Sequence, residues 1–179
     1  MRLASRSEID KALNDGEIVI RTRDGSALEY LDEYRVVLRL ERLYSVQGEV
    51  DLTRPEDLCA NPLDLTSATL APNTLYLATT REVFTLGTNF VATIHTRSKF
   101  ARAGFECLIS SNFVVPGFGS REPTPLVLEL LARLRTRGLS PDGHYFFVLL
   151  YRLDQAGETL NQKDYWDRFP LRSELDGLN

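Results

Sequence analysis

The feature that most constrains this fold is a recurrence of short segments rich in β-branched and aromatic residues. Six of them, separated by turn-forming residues, cover positions 34–40, 75–80, 90–95, 107–115, 126–131 and 145–153. Between the last two segments, Arg133, Arg135 and Arg137 alternate with Leu134 and Thr136, which is the two-residue period of a strand. Short runs of this kind between Gly, Pro and Asn turns are typical of β sandwiches and barrels. The sequence therefore predicts a mostly β fold.

Two stretches depart from this β pattern and predict helices. Near the start, Ser5 and Glu8 have the spacing of a capping box, in which each side chain accepts a hydrogen bond from a backbone N–H of the first turn. Gly16 ends this helix, because glycine adopts the left-handed cap conformation at little cost. The run TRSKFARAGF, residues 96–105, contains good helix formers and ends at Gly104. We predict a sandwich or barrel with an N-terminal helix and one short internal helix.

Composition excludes several classes of function. The formal net charge of −4 argues against a protein held to DNA or to an anionic membrane by bulk charge. Cys59 and Cys107 form no C-x-x-C motif, and neither His95 nor His144 lies in the H-x-E element of a zinc deaminase. No apolar segment reaches the ~18 residues of a membrane span, and no signal-peptide core is visible. We predict a cytoplasmic protein with no protein-bound zinc, no membrane and no nucleic-acid partner.

The basic segment at residues 97–102 is the first candidate site. Ser98 is placed to cap the predicted internal helix, and Arg97, Lys99 and Arg102 surround that cap. A helix N-terminus offers unpaired N–H groups and the positive end of the helix dipole, which together favour an anion. The segment therefore predicts an anion site, with a solvated basic turn and an ordinary cap as the alternative.

Glu129 is the second candidate, because it is the only ionisable residue in the apolar segment LVLELL, residues 126–131. Val127 and Leu131 share its face of the predicted strand, and the opposite face is also apolar. Such a carboxylate lies either at a sheet edge or in the interior, where desolvation makes it a better general base. A solvent-facing structural glutamate is the alternative.

The third candidate is the segment SNFVVPGFGS, residues 111–120. Its Pro-Gly pair predicts a tight turn at the end of a strand. Phe118, next to that turn, offers an aromatic ring either to a ligand or to the core.

In sequence order, the segments RSKFARAGF, VPGF and LVLEL resemble motifs of the dCTP deaminase branch of the dUTPase-like superfamily. That family typically shows R-S-S-x-x-R-x-G, then I-D-P-G-(F/W), then L-E-(L/F). The resemblance extends to four further segments. Residues 7–21 resemble the family's opening helix and strand, and residues 35–42 its S-x-D-L-R-L-G strand. Residues 70–84 resemble the segment that leads to T-x-E, and residues 147–154 a later core strand. It implies a distorted β-barrel, or β-clip, of the dUTPase-like type over residues 1–154. Residues 155–179 would form a C-terminal extension, either packed on the surface or closing as a lid.

The resemblance also implies an activity and an assembly. Family members are homotrimers with sites shared between subunits, and water attacks C4 of the cytosine ring without zinc. By position, Glu129 would be the general base, Arg102 would stabilise the developing charge, and Ser98 would position the water or bind phosphate. The implied substrate-binding residues are Arg97, Ser98, Lys99, Ser111, Val115 and Phe118. Mg²⁺ would be carried on the nucleoside triphosphate.

The sequence departs from the family pattern at three positions that matter for function. Val115 replaces the aspartate of I-D-P-G, which is expected to contact the deoxyribose 3′-hydroxyl; Val37 replaces the aspartate of S-x-D-L-R-L-G, and Lys99 the second serine of R-S-S. Valine accepts no hydrogen bond. An altered or inactive relative that binds a nucleotide or a protein partner as a regulator is therefore the alternative function. A dUTP diphosphatase fits less well, because the acids it would use are replaced.

Overall fold

The structure, a computed structural model, describes residues 1–47, 59–108 and 113–156. Its elements, in chain order, are mostly strands, and this confirms the predicted fold class. They are β1 (Arg2–Leu3), α1 (Arg6–Asn14), β2 (Ile18–Thr22), β3 (Arg35–Leu38), β4 (Leu40–Gln47), β5 (Cys59–Leu63), β6 (Thr69–Leu70), β7 (Thr74–Leu86), β8 (Phe90–Thr96), α2 (Ser98–Arg102), β9 (Phe105–Leu108), β10 (Thr124–Ala132), β11 (Thr136–Arg137) and β12 (Phe146–Arg152).

Helix α1 begins as the sequence predicts. Ser5 is the N-cap, and its backbone N–H donates a hydrogen bond to Oε2 of Glu8 at 3.0 Å. Ile9 and Ala12 are the buried residues of the helix and attach it to the core. After the last helical residue, Asn14, the chain reverses through Gly16, which has a φ of 72°.

The longest strand, β7, organises the larger sheet. Its first half lies between β4 and β10, and its second half pairs with β2 instead of β4. The strand order is β5-β4-β7-β10-β9, and these strands, together with the β2–β7 pair, are all antiparallel to their neighbours. Strand β10 lies between β7 and β9 from Glu129 to Ala132, so this part of β10 is inside the sheet.

The smaller sheet is built around β12, which pairs with β8 on one side and with β1 and β3 on the other. The inward-facing side chains of the two sheets meet in one core, in which Phe84, Phe90, Leu128 and Phe146 are almost fully buried. A third, two-stranded ribbon pairs β6 with β11. The two main sheets therefore cover one core and leave the ribbon at its margin.

Several predicted segments change their bounds in the structure. The segment 34–40 divides into β3 and β4, because Arg39 between them turns its side chain to a tertiary partner. The segment 75–80 is only the first half of β7. Of the segment 107–115, β9 takes the first residues and Val114 forms an isolated bridge with Ala92, whereas residues 109–112 lie outside the described part of the chain.

Candidate functional site

Helix α2 connects β8 to β9 and carries the basic candidate residues. Its N-cap is Arg97, with an extended backbone (φ −65°, ψ 135°), and Ser98 is the first helical residue. The prediction that Ser98 caps the helix is therefore wrong by one position. The reason is tertiary: the backbone N–H of Arg97 donates to the carbonyl of Tyr145 at 2.9 Å, which keeps Arg97 in the extended conformation of β8.

The side chains of α2 divide into anchors and exposed charges. Arg97 is half-buried, and its Nη1 donates a hydrogen bond to the carbonyl of His144 at 3.1 Å. Phe100 packs edge-on against Tyr145, with ring centroids 4.9 Å apart. Ser98, Lys99 and Arg102 are exposed. Arg97 and Phe100 thus attach the helix to residues 144 and 145, and two cationic groups and a hydroxyl face the solvent.

Glu129 lies in the middle of β10, opposite Leu77 of β7 and Leu108 of β9. The structure therefore places it in the sheet interior and not at an edge. Its side chain is half-buried on the face that it shares with Val127 and Leu131. Leu77, the residue of β7 opposite Glu129, is only 5% exposed. The carboxylate accordingly lies in largely apolar surroundings.

The environment of Glu129 affects a neighbouring thiol. Burial, and next the negative charge of Glu129, raise the pKa of Cys107 to about 12. The Cys107 backbone N–H donates to Oγ1 of Thr96 at 2.8 Å, which ties β9 to the end of β8. The thiol therefore stays protonated at neutral pH and takes no part in acid–base chemistry there.

A ladder of paired residues sets the distance between Glu129 and α2. Glu129 pairs with Leu108, and the ladder continues until the N–H of Arg133 donates to the carbonyl of Gly104, at 2.7 Å. Gly104, two residues after the last residue of α2, has a φ of +77°, and a Cβ there would lie 2.9 Å from Cβ of Arg133. At about 3.3 Å per strand residue, the end of α2 therefore lies roughly 13 Å along β10 from Glu129.

The VPGF segment forms the turn that the sequence predicts. The N–H of Phe118 donates to the carbonyl of Val115 at 3.2 Å, and Gly117 has a φ of 80°, as a type II turn requires after proline. Gly117 and Phe118 are both bonded to the backbone of Leu86 at the end of β7. Val115 is half-buried, and Phe118 packs, also half-buried, against the core.

The turn lies at the opposite end of the β7–β10 pair from α2. Thr124, the first residue of β10, pairs with Phe84 near this turn, whereas Ala132, the last, lies next to the connection from α2. Glu129 lies between the two. The structure thus places the three candidate groups at successive positions along one sheet of a single chain. Ser111 lies outside the described residues.

A buried polar cluster is the feature that sequence reasoning missed. Arg39 donates from Nε to Oε1 of Glu82 and from its backbone N–H to Oε2, both at 2.8 Å. Nη1 of Arg39 lies 3.0 Å from Oε1 of Glu29, and Nε2 of His144 lies 2.7 Å from the other oxygen of Glu29. Burial raises the pKa of the Glu82 carboxyl, although Arg39 works in the opposite direction. Since Arg97 bonds to the His144 carbonyl, the cluster reaches the start of α2.

A signal for this cluster was present in the sequence. Arg39 is a lone charge between Leu38 and Leu40, just as Glu129 is a lone charge between two leucines. The same criterion that singled out Glu129 therefore identifies Arg39. Its partner could not be identified in this way, because Glu82 is 43 positions away.

Two findings concern metals and membranes. Within residues 1–47, 59–108 and 113–156, no three His, Cys, Asp or Glu residues are grouped so that they could hold a metal ion. In the same part of the chain, neither helix has the length and apolar character needed to cross a bilayer.

Comparisons with known proteins agree with this architecture. A family model described as dCTP deaminase-like matches residues 3–137. Among solved structures, the chain is similar to 2′-deoxycytidine 5′-triphosphate deaminase from Agrobacterium tumefaciens, with 15% sequence identity and a TM-score of 0.64. The similarity covers 97% of this chain and 53% of that one, so this chain spans about half the length of that structure. A search of curated proteins found no match. The predicted dUTPase-like fold is confirmed.

Proposed function

The chain belongs to the dCTP deaminase-like family, and we propose that it is a nucleotide deaminase of the dCTP deaminase type. The reaction would convert a cytosine deoxynucleotide to the uracil nucleotide by hydrolysis, without protein-bound zinc. The observation that carries this proposal is the position of Glu129, a half-buried carboxylate inside an apolar strand. A carboxylate held at such a position in the sheet can act as a general base toward a bound water.

Each candidate residue has a role in this proposal. Glu129 takes a proton from water as the water oxygen bonds to C4 of the ring, and this proton passes to N3. Glu129 then takes the proton of the new C4 hydroxyl and gives it to N4; the C4–N4 bond breaks with its electron pair on nitrogen, so that ammonia leaves and a C4 carbonyl remains. Arg102 stabilises the negative charge that develops on the ring. Arg97, Ser98 and Lys99 bind the phosphates, because guanidinium, hydroxyl and ammonium groups all donate to phosphate oxygens. Val115 and Phe118 border the sugar, and Ser111 holds the base.

Mg²⁺ enters this proposal only as a companion of the triphosphate. The side chains proposed to bind the phosphates are cationic or neutral donors, which match phosphate oxygens and not a metal ion. When bound, the ion neutralises part of the charge on the phosphates. The protein's own contribution is to hold the nucleotide with α2 and to present Glu129 to its ring.

The separation of the three candidate groups along one sheet supports a shared site. About 13 Å lie between Glu129 and the end of α2, by the strand rise of about 3.3 Å per residue, and the VPGF turn lies at the other end of β10. A nucleotide that contacts all three groups is more easily accommodated where different copies contribute them. A homotrimer with sites between its subunits is therefore part of the proposal.

Incubation of the purified chain with dCTP and Mg²⁺ tests the proposal directly. We expect release of ammonia together with a uracil nucleotide, and loss of both in Glu129→Gln with an unchanged circular dichroism spectrum. Glu106→Gln is the matched control, because Glu106 is a half-exposed carboxylate on the neighbouring strand β9. Failure of the wild-type protein to deaminate dCTP or any related cytosine nucleotide would contradict the proposal.

One observation favours a second function, that of a nucleotide-binding regulator without turnover. Val37 and Val115 occupy positions where the family pattern has aspartates, and Val37 is almost fully buried on β3. An apolar side chain at Val115 offers no acceptor to a sugar hydroxyl. Stabilisation of the protein against heat by a nucleotide that it leaves unchanged would support this function.

A further inference from the structure

A cavity of about 510 Å³, lined by Thr69, Arg135 and Arg137, lies at the ribbon formed by β6 and β11. Arg137 pairs directly with Thr69, so their side chains stand next to each other across the ribbon. Arg135 lies just before β11 and lines the same cavity. None of these three residues belongs to the motifs that resemble the dCTP deaminase family.

Among the described residues, no side chain pairs with either of the two arginines. Both side chains are exposed, and in the part of the chain that the structure describes neither makes an ion pair or a hydrogen bond. Their neighbour Arg133 differs, since its guanidinium lies 3.9 Å from the carboxylate of Glu106. Two guanidinium groups that converge on one cavity repel each other unless an anion lies between them. The cavity is therefore a concentration of positive charge on a protein whose net charge is −4.

The chemistry of the lining selects a phosphoryl group. A guanidinium presents several N–H donors in a planar fork that matches phosphate oxygens, and the hydroxyl of Thr69 adds another donor. The volume lies within the range of small-molecule sites, roughly 300–1,000 Å³. An extended polyanion such as nucleic acid fits less well, because it requires a basic stripe on a domain of positive net charge.

We propose that Thr69, Arg135 and Arg137 form a second anion site, which binds the phosphoryl group of a small phosphorylated molecule. None of its three residues is among those proposed to bind the nucleotide. The site does not depend on deamination, and the two proposals can fail independently.

Isothermal titration calorimetry with inorganic pyrophosphate, in the absence of metal ions, tests this inference on the full chain. The measurement uses a Lys99→Gln/Arg102→Gln background, so that exposed cations of α2 do not contribute. We expect Arg135→Gln/Arg137→Gln to weaken binding by about tenfold or more, because two charge-assisted contacts are lost. The thermal midpoint should stay unchanged, since neither side chain has a partner within the described residues.

A charge-matched control separates a built site from general attraction. Arg21→Gln/Arg121→Gln removes the same two charges from exposed positions elsewhere, and we expect it to change the affinity less than about twofold, because exposed charges beyond a Debye length are screened. The inference is overturned if pyrophosphate does not bind, if Arg135→Gln/Arg137→Gln binds as tightly as its background, or if both double variants lose affinity equally.

Deamination assays on Arg135→Gln/Arg137→Gln in the otherwise wild-type chain, with Lys99 and Arg102 intact, keep the two proposals apart. Arg135→Gln/Arg137→Gln should retain the dCTP turnover of the wild-type protein. A chain that binds pyrophosphate through the cavity but deaminates no nucleotide would contradict the proposed function and leave the second site standing. Turnover without pyrophosphate binding at the cavity would do the reverse.

Discussion

The guanidinium Nε of Arg39 lies 2.8 Å from Oε1 of Glu82, although the two residues are 43 positions apart in the sequence. Their side chains are only 6% and 1% exposed. Arg39 lies between β3 and β4, and Glu82 lies where β7 stops pairing with β4 and begins to pair with β2. The pair therefore connects both halves of the larger sheet.

We predict that Arg39→Met lowers the free energy of unfolding by about 3–5 kcal/mol, because it leaves the Glu82 carboxylate buried without its cation. Arg133→Met is the control, since its pair with Glu106 is long and partly exposed; such a pair contributes about 0–1 kcal/mol. Urea denaturation measures both values. An equal decrease in the free energy of unfolding in the two variants would show that the buried pair stabilises the fold no more than the exposed one.

We predict that Gly119→Ala destabilises the fold more than Gly138→Ala. Both glycines have positive φ, 68° and 78°, so each alanine incurs about 1–2 kcal/mol of backbone strain. A Cβ at Gly119 would also lie 2.0 Å from the carbonyl oxygen of Phe84, whereas nothing lies within 4 Å of one at Gly138. Overpacking of this kind adds about 1–3 kcal/mol. Thermal unfolding should show the larger drop for Gly119→Ala, and the opposite order would refute this account of the turn.

We predict that Cys107 resists thiol reagents in the folded protein. Burial, and then the charge of Glu129, raise its pKa from 9.0 to about 12, so little thiolate exists at pH 8. In a Cys59→Ser background, labelling by a chromogenic disulfide should be slow until denaturant is added. Because the folded pKa lies above the unfolded one, the stabilising contribution is complete below pH 9 and is lost as the pH rises toward 12. Labelling equally fast with and without denaturant would count against this assignment.

We predict that Glu8 makes the fold sensitive to acid. A hydrogen bond from Arg2, followed by one from the backbone N–H of Ser5, lowers the pKa of Glu8 to about 2. Since the folded pKa lies below the unfolded one, the contribution is present above pH 4.5 and is lost as the pH falls toward 2. Glu8→Gln should therefore flatten the stability profile in this window and cost about 0–1 kcal/mol at neutral pH, as loss of a largely exposed ion pair does. Circular dichroism against pH measures this, with the exposed Glu122→Gln as a control; parallel profiles for Glu8→Gln and the wild type would contradict it.

Most of the fold could be predicted because local patterns determine it. The capping box at Ser5 starts α1 in the structure, and the alternation around Glu129 places its neighbours on the expected faces of β10. The predicted ends of strands were wrong where a tertiary contact determines the end. β7 continues past Thr80 because Oγ1 of Thr80 donates to the carbonyl of Glu82 and accepts from the N–H of Leu126. Leu126 is 46 positions from Thr80, so this contact is not visible in a short window of sequence.

The candidate site could be predicted only as a set of residues. An isolated charge identified Glu129, a basic segment identified Arg102, and turn residues identified the VPGF segment. The distances between them depend on strand register, which no local pattern specifies. The start of α2 was misplaced because the carbonyl of Tyr145 holds Arg97 extended. Their roles in catalysis stay predictions, for which Glu129→Gln is the decisive variant.

The pairing of β1 with β12 has a consequence for circular permutation of this fold. Arg2 lies opposite Arg152, and Leu3 opposite Tyr151, so the first and the last of the described strands lie side by side. Adjacent end strands of this kind favour circular permutation. A short linker between these two strands, with a new opening at the exposed turn around Gly25, keeps the described strand pairs of the two sheets.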